Sequence, residues 1–195
     1  MINITNLTKK FGKKILFENL SLKLPDKGII AISGESGAGK TTLLRMIAGL
    51  DKKYSGKIDL GNITKISYVF QESRLLNAST ALENVALVLK NTKEKNTKKA
   101  EEKAASILTK MGLGNDLYTY PEELSGGMKQ RVSIARAFAY NGDVLLLDEP
   151  FNGLDEERVG SIMDMIKEYS KEKLCIIVSH NTEHLDYLGC EIIRI

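Results

Sequence analysis

The chain has 195 residues, with 28 lysines and arginines against 25 aspartates and glutamates, for a formal net charge of +3. That length can bury one sizeable core, and so small a net charge, without basic residues clustered on one face, does not argue for a nucleic-acid surface. No apolar run approaches the roughly 18 to 20 residues that a membrane-spanning helix needs, so any membrane role has to come through a partner. The two cysteines, Cys175 and Cys190, lack CxxC or metal spacing and are expected to be inert reduced thiols of a cytosolic protein; the strand-like start Met1-Ile2-Asn3-Ile4 is not a signal peptide.

In chain order, residues 1 to about 27 read as two strands, from the alternation of Ile2 and Ile4 and of Leu20, Leu22 and Leu24, forming an antiparallel edge. Gly28-Ile29-Ile30-Ala31-Ile32-Ser33 is a buried strand that runs directly into Gly34-Glu35-Ser36-Gly37-Ala38-Gly39-Lys40-Thr41-Thr42, followed by a helix to about Ala48. Strand, G-x-x-x-x-G-K-[ST] and helix together are a phosphate-binding loop. Gly34, Gly37 and Gly39 let successive N–H groups point inward at phosphate oxygens, Lys40 supplies a point charge for the β- and γ-phosphates, and Thr41 offers a hydroxyl to Mg²⁺. The helix N-terminus beneath them adds its partial positive charge.

Ile66-Ser67-Tyr68-Val69-Phe70 reads as a further strand ending at Gln71. From Thr80 to about Leu117 the pattern is helical, with Leu82, Val85, Ala86 and Leu89 on one face. Within it, Lys90 to Lys103 is cationic but interleaved with Glu94, Glu101 and Glu102, and is expected to be an exposed amphipathic helix whose stripe is Ala100, Ala104, Ala105, Ile107 and Leu108.

Leu124-Ser125-Gly126-Gly127-Met128-Lys129-Gln130-Arg131 opens another helix, with Ser125 as N-cap and the helix running from Gly126 to Tyr140. Two glycines in a first turn cost helix stability by roughly 1 kcal/mol each relative to alanine. A closely approaching phosphate is the simplest reason for them, and a purely structural Ser-Gly-Gly turn the alternative. Asp143-Val144-Leu145-Leu146-Leu147-Asp148-Glu149-Pro150 is a core strand whose C-terminal end carries two carboxylates. Asp148 is placed for Mg²⁺. Glu149, on the other face of a continuing strand, is the candidate for orienting the attacking water, against the alternative of a solvated strand end. A helix from about Asp155 to Tyr169 follows, then the strand Leu174 to Ser179 and His180.

The order of the phosphate loop, Gln71, Leu124 to Arg131, Leu145 to Glu149 and His180 resembles the nucleotide-binding subunit of ATP-binding cassette (ABC) proteins over essentially all 195 residues. The resemblance implies ATP and Mg²⁺ as cofactors and assigns roles by position. Phe11 stands where the family stacks an aromatic on adenine, though a lone aromatic before glycine can equally be a core or surface ring. Gln71 matches a glutamine that contacts metal or water and senses the transport partner. His180 matches a histidine on the γ-phosphate; a helix N-cap or turn is its alternative, and His184 is read as structural. Asn152-Gly153-Leu154-Asp155 matches a loop crossing a dimer interface, but departs from the family's frequent Ser-Ala-Leu-Asp, so Asp155 carries most of that match. Ser125, Gly126 and Gly127 serve, in the family, the ATP of a second subunit, so that two ATPs are sandwiched head to tail.

These readings combine into an α/β fold: a P-loop NTPase core with a mostly parallel sheet, an N-terminal antiparallel β subdomain and a helical insertion at about 72–140, in one domain spanning 1–195. The expected function is ATP hydrolysis powering transport through separate membrane-spanning subunits, by a head-to-tail pair with a second ATP-binding subunit, expected to be another copy of the chain, on the cytoplasmic face, with no nucleic acid. A soluble non-transport ABC ATPase and a P-loop small-molecule kinase are the alternatives; the kinase leaves Ser125, Gly126, Gly127 and His180 without roles. Val69 to Leu76, Tyr120 to Leu124 and Asp148 to Phe151 look loosely like importers of nitrate or alkylsulfonates. Cargo and direction lie outside the chain's own residues.

Overall fold

The computed structural model describes residues 1–92 and 96–195. The chain divides into two compact units, one of Met1–Tyr68, Asp143–Asp148 and Ile166–Ile195, the other of Val69–Gly142 and Glu149–Met165.

The first unit is built on two sheets. Strands β1 (Ile2–Phe11) and β2 (Lys14–Leu24) form an antiparallel hairpin, with Ile2 opposite Leu24 and Phe11 opposite Lys14. Their alternation was legible, but β1 is not uniform: register shifts after Ile4, where Asn6 takes a positive φ of 48°, put Leu7 and Lys9 on the buried side. The other edge of β1 pairs with β4 (Ser55–Asp59), a strand the sequence pattern does not announce, because only Ile58 in Ser-Gly-Lys-Ile-Asp is a strand-forming apolar residue.

The second sheet has five strands in the order β5-β6-β7-β3-β8, where β3 is Gly28–Ser33, β5 Ile66–Val69, β6 Val144–Asp148, β7 Leu174–Val178 and β8 Glu191–Arg194. β3 runs parallel to both β7 and β8, and β6 parallel to β7. Every residue of β6 and β7 is buried, which is why these segments read as unbroken apolar runs. Helix α1 (Lys40–Ile47) buries Leu43, Leu44, Met46 and Ile47 in a core shared with Ile2, Ile4 and Leu7 of β1 and Ile30, Leu146 and Ile176 of the parallel sheet. One apolar cluster therefore holds the antiparallel sheet and the phosphate-loop helix in a single body. Asp143 ties in the start of β6: its Oδ2 accepts from the Thr64 N–H and hydroxyl and the Lys65 N–H, at 2.9 to 3.0 Å.

The second unit is helical. The stretch expected to run helically to Leu117 is two helices, α2 (Ala81–Thr92) and α3 (Thr97–Lys110), followed by turns. The expected single cationic helix over Lys90–Lys103 is thus interrupted: Asn96 caps a new helix by accepting from the Lys99 N–H at 3.2 Å, while Glu94 lies outside the described residues. Of its expected stripe, Ala100, Ala104 and Leu108 are fully buried, one per turn. α2 starts with a capping box between Thr80 and Glu83. Asn84, wholly buried, accepts from the Leu76 N–H and donates to the carbonyls of Leu76, Ser79 and Thr80, satisfying the incoming turn. α4 (Gly126–Tyr140) packs on α2 and α3, and α5 (Glu156–Ser170) leads the chain onward.

Candidate nucleotide site

The phosphate loop sits between β3 and α1, where the chain leaves the C-terminal end of a parallel strand and enters a helix. Gly39 has a φ of 103°, and a Cβ there would lie 2.6 Å from the Phe17 ring and 2.7 Å from Leu16. The glycine thus serves the loop's own packing against β2. Gly37, at a φ of 80°, has nothing within 4 Å of such a Cβ. The Lys40 side chain is buried, and its ammonium donates to the carbonyls of Gly34 at 2.8 Å and Glu35 at 3.0 Å, wrapping back over the loop.

At the other end of the loop, the Thr41 hydroxyl donates to Asp148 Oδ1 at 3.0 Å. Asp148 closes β6 and is 2% exposed. Burial pushes its carboxyl above the ordinary aspartate value, with Thr41, Tyr68 and the charge of Lys40 acting in the opposite sense. A desolvated carboxylate beside a hydroxyl is an oxygen donor set suited to Mg²⁺, which takes one or two protein carboxylates and completes its shell with phosphate and water. Among the described residues no cluster of three or more His, Cys, Asp or Glu side chains is assembled for a metal. Tyr68, whose hydroxyl lies 3.4 Å from Asp148 Oδ2, is a neighbour that the sequence reading passed over; only its place in β5 hinted at it.

Two further candidates belong to the same unit. Phe11, at the tip of the β1–β2 hairpin, is 54% exposed, so the core-ring alternative fails. His180 is exposed just beyond β7, and the N-cap of α6 (Thr182–Leu188) is Asn181, whose side chain accepts from the His184 N–H. His180 is therefore not a helix cap. His184 meets Asn181 through its Nε2 at 3.3 Å, in keeping with a structural place. The thiols of Cys175 and Cys190 are pushed up to about 12 and about 11, each chiefly by burial, which makes them poor nucleophiles.

The remaining candidates lie in the second unit. Gln71 is exposed two residues past β5. Downstream of it the backbone is fastened by Arg136 of α4, which donates to the carbonyls of Arg74 at 3.0 Å and Ser73 at 3.2 Å. Glu149 does not continue the strand as expected. β6 ends at Asp148, and Glu149 turns the chain with a φ of 48°, a left-handed conformation that is costly for a residue bearing a Cβ. The strand alternation expected to set the two carboxylates on opposite faces therefore stops at Asp148.

The Leu124–Arg131 segment also proves to be divided labour. Ser125 caps α4, accepting from the Met128 N–H at 3.2 Å. Gln130 is buried and donates to the Pro150 carbonyl at 3.4 Å; Arg131 donates to the carbonyls of Met111 and Gly112 at the end of α3. A Cβ on Gly127 would stand 2.5 Å from the Gly153 carbonyl oxygen, whereas one on Gly126 would meet nothing within 4 Å. The two glycines thus differ in what a side chain would meet: at Gly127 it would strike the chain's own backbone, and at Gly126 it would enter open space. Asp155 likewise has an internal duty, its Oδ1 accepting from the Arg158 N–H at 3.0 Å at the start of α5.

The family model described as ABC transporter matches residues 17–152. The chain belongs to the ABC transporter family. It is an ATP-binding cassette, the ATP-hydrolysing component that powers transport in this family. The cassette is 38% identical over 194 residues to the arginine transport ATP-binding protein ArtM of Bacillus subtilis (strain 168), covering 92% of this chain and 81% of that one. It is 36% identical over 203 residues to the L-cystine transport system ATP-binding protein TcyN of Escherichia coli (strain K12), covering 92% and 80%. A solved dimeric cassette in a post-hydrolysis state bound to ADP and Pi superimposes with a TM-score of 0.90 at 30% identity, over 100% of this chain and 94% of that one. Other relatives are named for methionine, phosphonate and sulfate or thiosulfate import, so the cassette is similar to importer subunits named for several different cargoes. Among the described residues, no helix is long and apolar enough to cross a membrane.

Proposed function

We propose that this cassette is one of two ATP-binding subunits, two copies of this chain, that close head to tail on ATP to drive an importer, docked on the cytoplasmic face of separate membrane-spanning subunits. The observation that carries the reading is the contrast within one turn: Gly127 is accounted for by the chain's own Gly153 carbonyl, and Gly126, at the N-terminus of α4, is left open. An uncovered helix start of this kind suits a phosphate brought by another subunit.

In this reading the N–H groups from Gly34 through Glu35, Ser36, Gly37, Ala38, Gly39, Lys40, Thr41 and Thr42 hold the phosphates, and Lys40 exchanges the carbonyls of Gly34 and Glu35 for phosphate oxygens. Thr41 and Asp148 hold Mg²⁺, with Gln71 as a further ligand or a holder of its water. Mg²⁺ held by these residues would supply charge neutralisation for the phosphates. Phe11 stacks on adenine, Glu149 orients and polarises the attacking water, and His180 contacts the γ-phosphate. Ser125, Gly126, Gly127 and Asp155 belong to the face that meets the partner's ATP. Phosphoryl transfer asks mainly for such positioning and charge stabilisation.

Two measurements test the assembly. Glu149→Gln keeps the shape and removes the charge, so with ATP it should elute as a dimer; a monomer under saturating ATP would contradict the sandwich. Detergent extracts should yield the protein together with a multi-span membrane subunit. Recovery with a soluble partner alone would favour a non-transport ABC ATPase instead.

A further inference from the structure

Lys9 of β1 is a buried cation with its ammonium fully bound. It is 2% exposed, and all three of its N–H donors are taken: by Asp51 Oδ1 at 2.9 Å, Asp51 Oδ2 at 2.7 Å and the Lys53 carbonyl at 2.8 Å. Its ammonium also lies 4.6 Å from the centroid of the Phe11 ring. With its donors used, this lysine is not a phosphate ligand. It is also costly to keep: a buried charge needs full pairing, and a hydrophobic residue of similar size is often no worse for stability.

Its partner is tied to the phosphate loop. Asp51 follows α1, and the N–H groups of Leu50 and Asp51 both donate to the Arg45 carbonyl, at 2.9 and 3.2 Å. Lys53 N–H closes back on Asp51 Oδ1 at 3.0 Å. α1 thus begins at Lys40, and the turn fastened to its Arg45 carbonyl carries the carboxylate that grips Lys9, so one short helix of about 12 Å and that turn connect the phosphate cradle with the cation beside the ring. A second path is the β1–β2 hairpin itself, whose Leu16 and Phe17 press on Gly39.

We propose that Lys9 is a positioning residue for base recognition: held by Asp51, it fixes the Phe11 ring at a set distance from the phosphate loop and, through its charge against one ring face, favours stacking of the electron-rich adenine on the other. The proposal rests on the reading of Phe11 as the adenine platform and adds how that exposed ring is held and tuned. Cation–π attraction draws electron density toward the ammonium, which makes the far face a better partner for a purine.

The test compares ATP with inorganic tripolyphosphate, which has the phosphates and lacks the base, by calorimetry at constant Mg²⁺. Lys9→Met should lower the ratio of ATP to tripolyphosphate affinity by about five- to tenfold, with tripolyphosphate affinity held within about twofold. In a Phe11→Leu background the same substitution should not change the ratio further. Equal loss for both ligands, or an unchanged ratio, overturns the proposal and leaves Lys9 a structural ion pair. If Phe11→Leu alone leaves the ratio unchanged, the adenine platform itself is wrong, which is a separate failure. Should Lys9→Met not fold because it strands Asp51, the Lys9→Met/Asp51→Asn pair, which removes both charges, carries the same comparison.

Discussion

The hydroxyl of Thr41 donates to Asp148 Oδ1 at 3.0 Å, joining the first turn of α1 to the last residue of β6 across 107 positions of sequence. The bond sets a carboxylate at the mouth of the phosphate loop, and burial raises that carboxyl's proton affinity. A folded-state pKa above the unfolded value means that the contribution to stability is fully present below the unfolded pKa, about 3.9 for aspartate, and is lost as pH rises through the folded one. Relative to Asp148→Asn, the nucleotide-free wild type should therefore lose stability as pH rises through that window, and added Mg²⁺ should offset the loss. Protons and metal compete for the carboxylate, so the Mg²⁺-dependent gain in ATP affinity should fade as pH falls through the same window. Thermal melts of both proteins from pH 4 to 8 check the sign; a wild type that gains on the variant with rising pH contradicts the burial argument.

Glu149 supplies a second test, because its left-handed φ is expensive for a residue with a Cβ. Glu149→Gly should keep the fold and raise stability by up to about 1 kcal/mol, since relief of strain outweighs the added chain entropy. The same variant should lose ATP turnover. A melt and a phosphate-release assay on one preparation suffice, and a destabilised Glu149→Gly would show that the turn is not strained.

The paired glycines separate stability from function more sharply. Gly127→Ala drives a methyl group to within 2.5 Å of the Gly153 carbonyl oxygen and should cost about 1–3 kcal/mol. Gly126→Ala meets nothing within 4 Å and replaces a poor helix former, so its stability should be unchanged or up to about 1 kcal/mol higher. If Gly126 faces the partner's ATP, Gly126→Ala should nonetheless weaken ATP-induced dimers in sizing experiments. Normal dimers and normal turnover would remove the second-subunit assignment. Ser125→Arg extends the point: its bulk should abolish turnover while single-site nucleotide affinity stays near wild type, and equal loss of both would count against it.

What the sequence made legible follows from how local each signal is. Strand, glycine loop and Gly-Lys-Thr are contiguous, so β3, the loop and α1 were readable, as was the capped start of α4 at Ser125. β6 and β7 announced themselves because burial on both faces leaves an unbroken apolar run. β4 did not, since an edge strand containing Gly56 and three polar residues has no such pattern. Nor could spacing reveal that Glu149 leaves the strand in a left-handed turn, that Gly127 accommodates Gly153, or that Tyr68 meets Asp148. Each depends on a partner that lies 3 to 80 positions away or on a backbone angle that no residue identity encodes.

Arg136 carries the last prediction. On α4, it reaches the segment that follows Gln71 and donates separately to the carbonyls of Ser73 and Arg74, the latter a residue with a left-handed φ of 43°. Burial lowers the guanidinium's pKa, yet the group stays charged at any working pH, so both bonds are charge-assisted. Arg136→Met keeps much of the volume but removes two hydrogen bonds, one of them exposed to water, and should cost about 1–2 kcal/mol. Arg136→Lys offers one ammonium in place of a planar fork and should fall between. The local consequence is distinct from the global one: hydrogen exchange should quicken at residues 72–75 in Arg136→Met, while the Leu76 amide, held at 2.8 Å by Asn84, and the amides of α2 stay protected relative to the lowered global stability. Uniform loss of protection across the unit would mean that Arg136 supports α4 packing at large and does not specifically fasten the chain beyond Gln71.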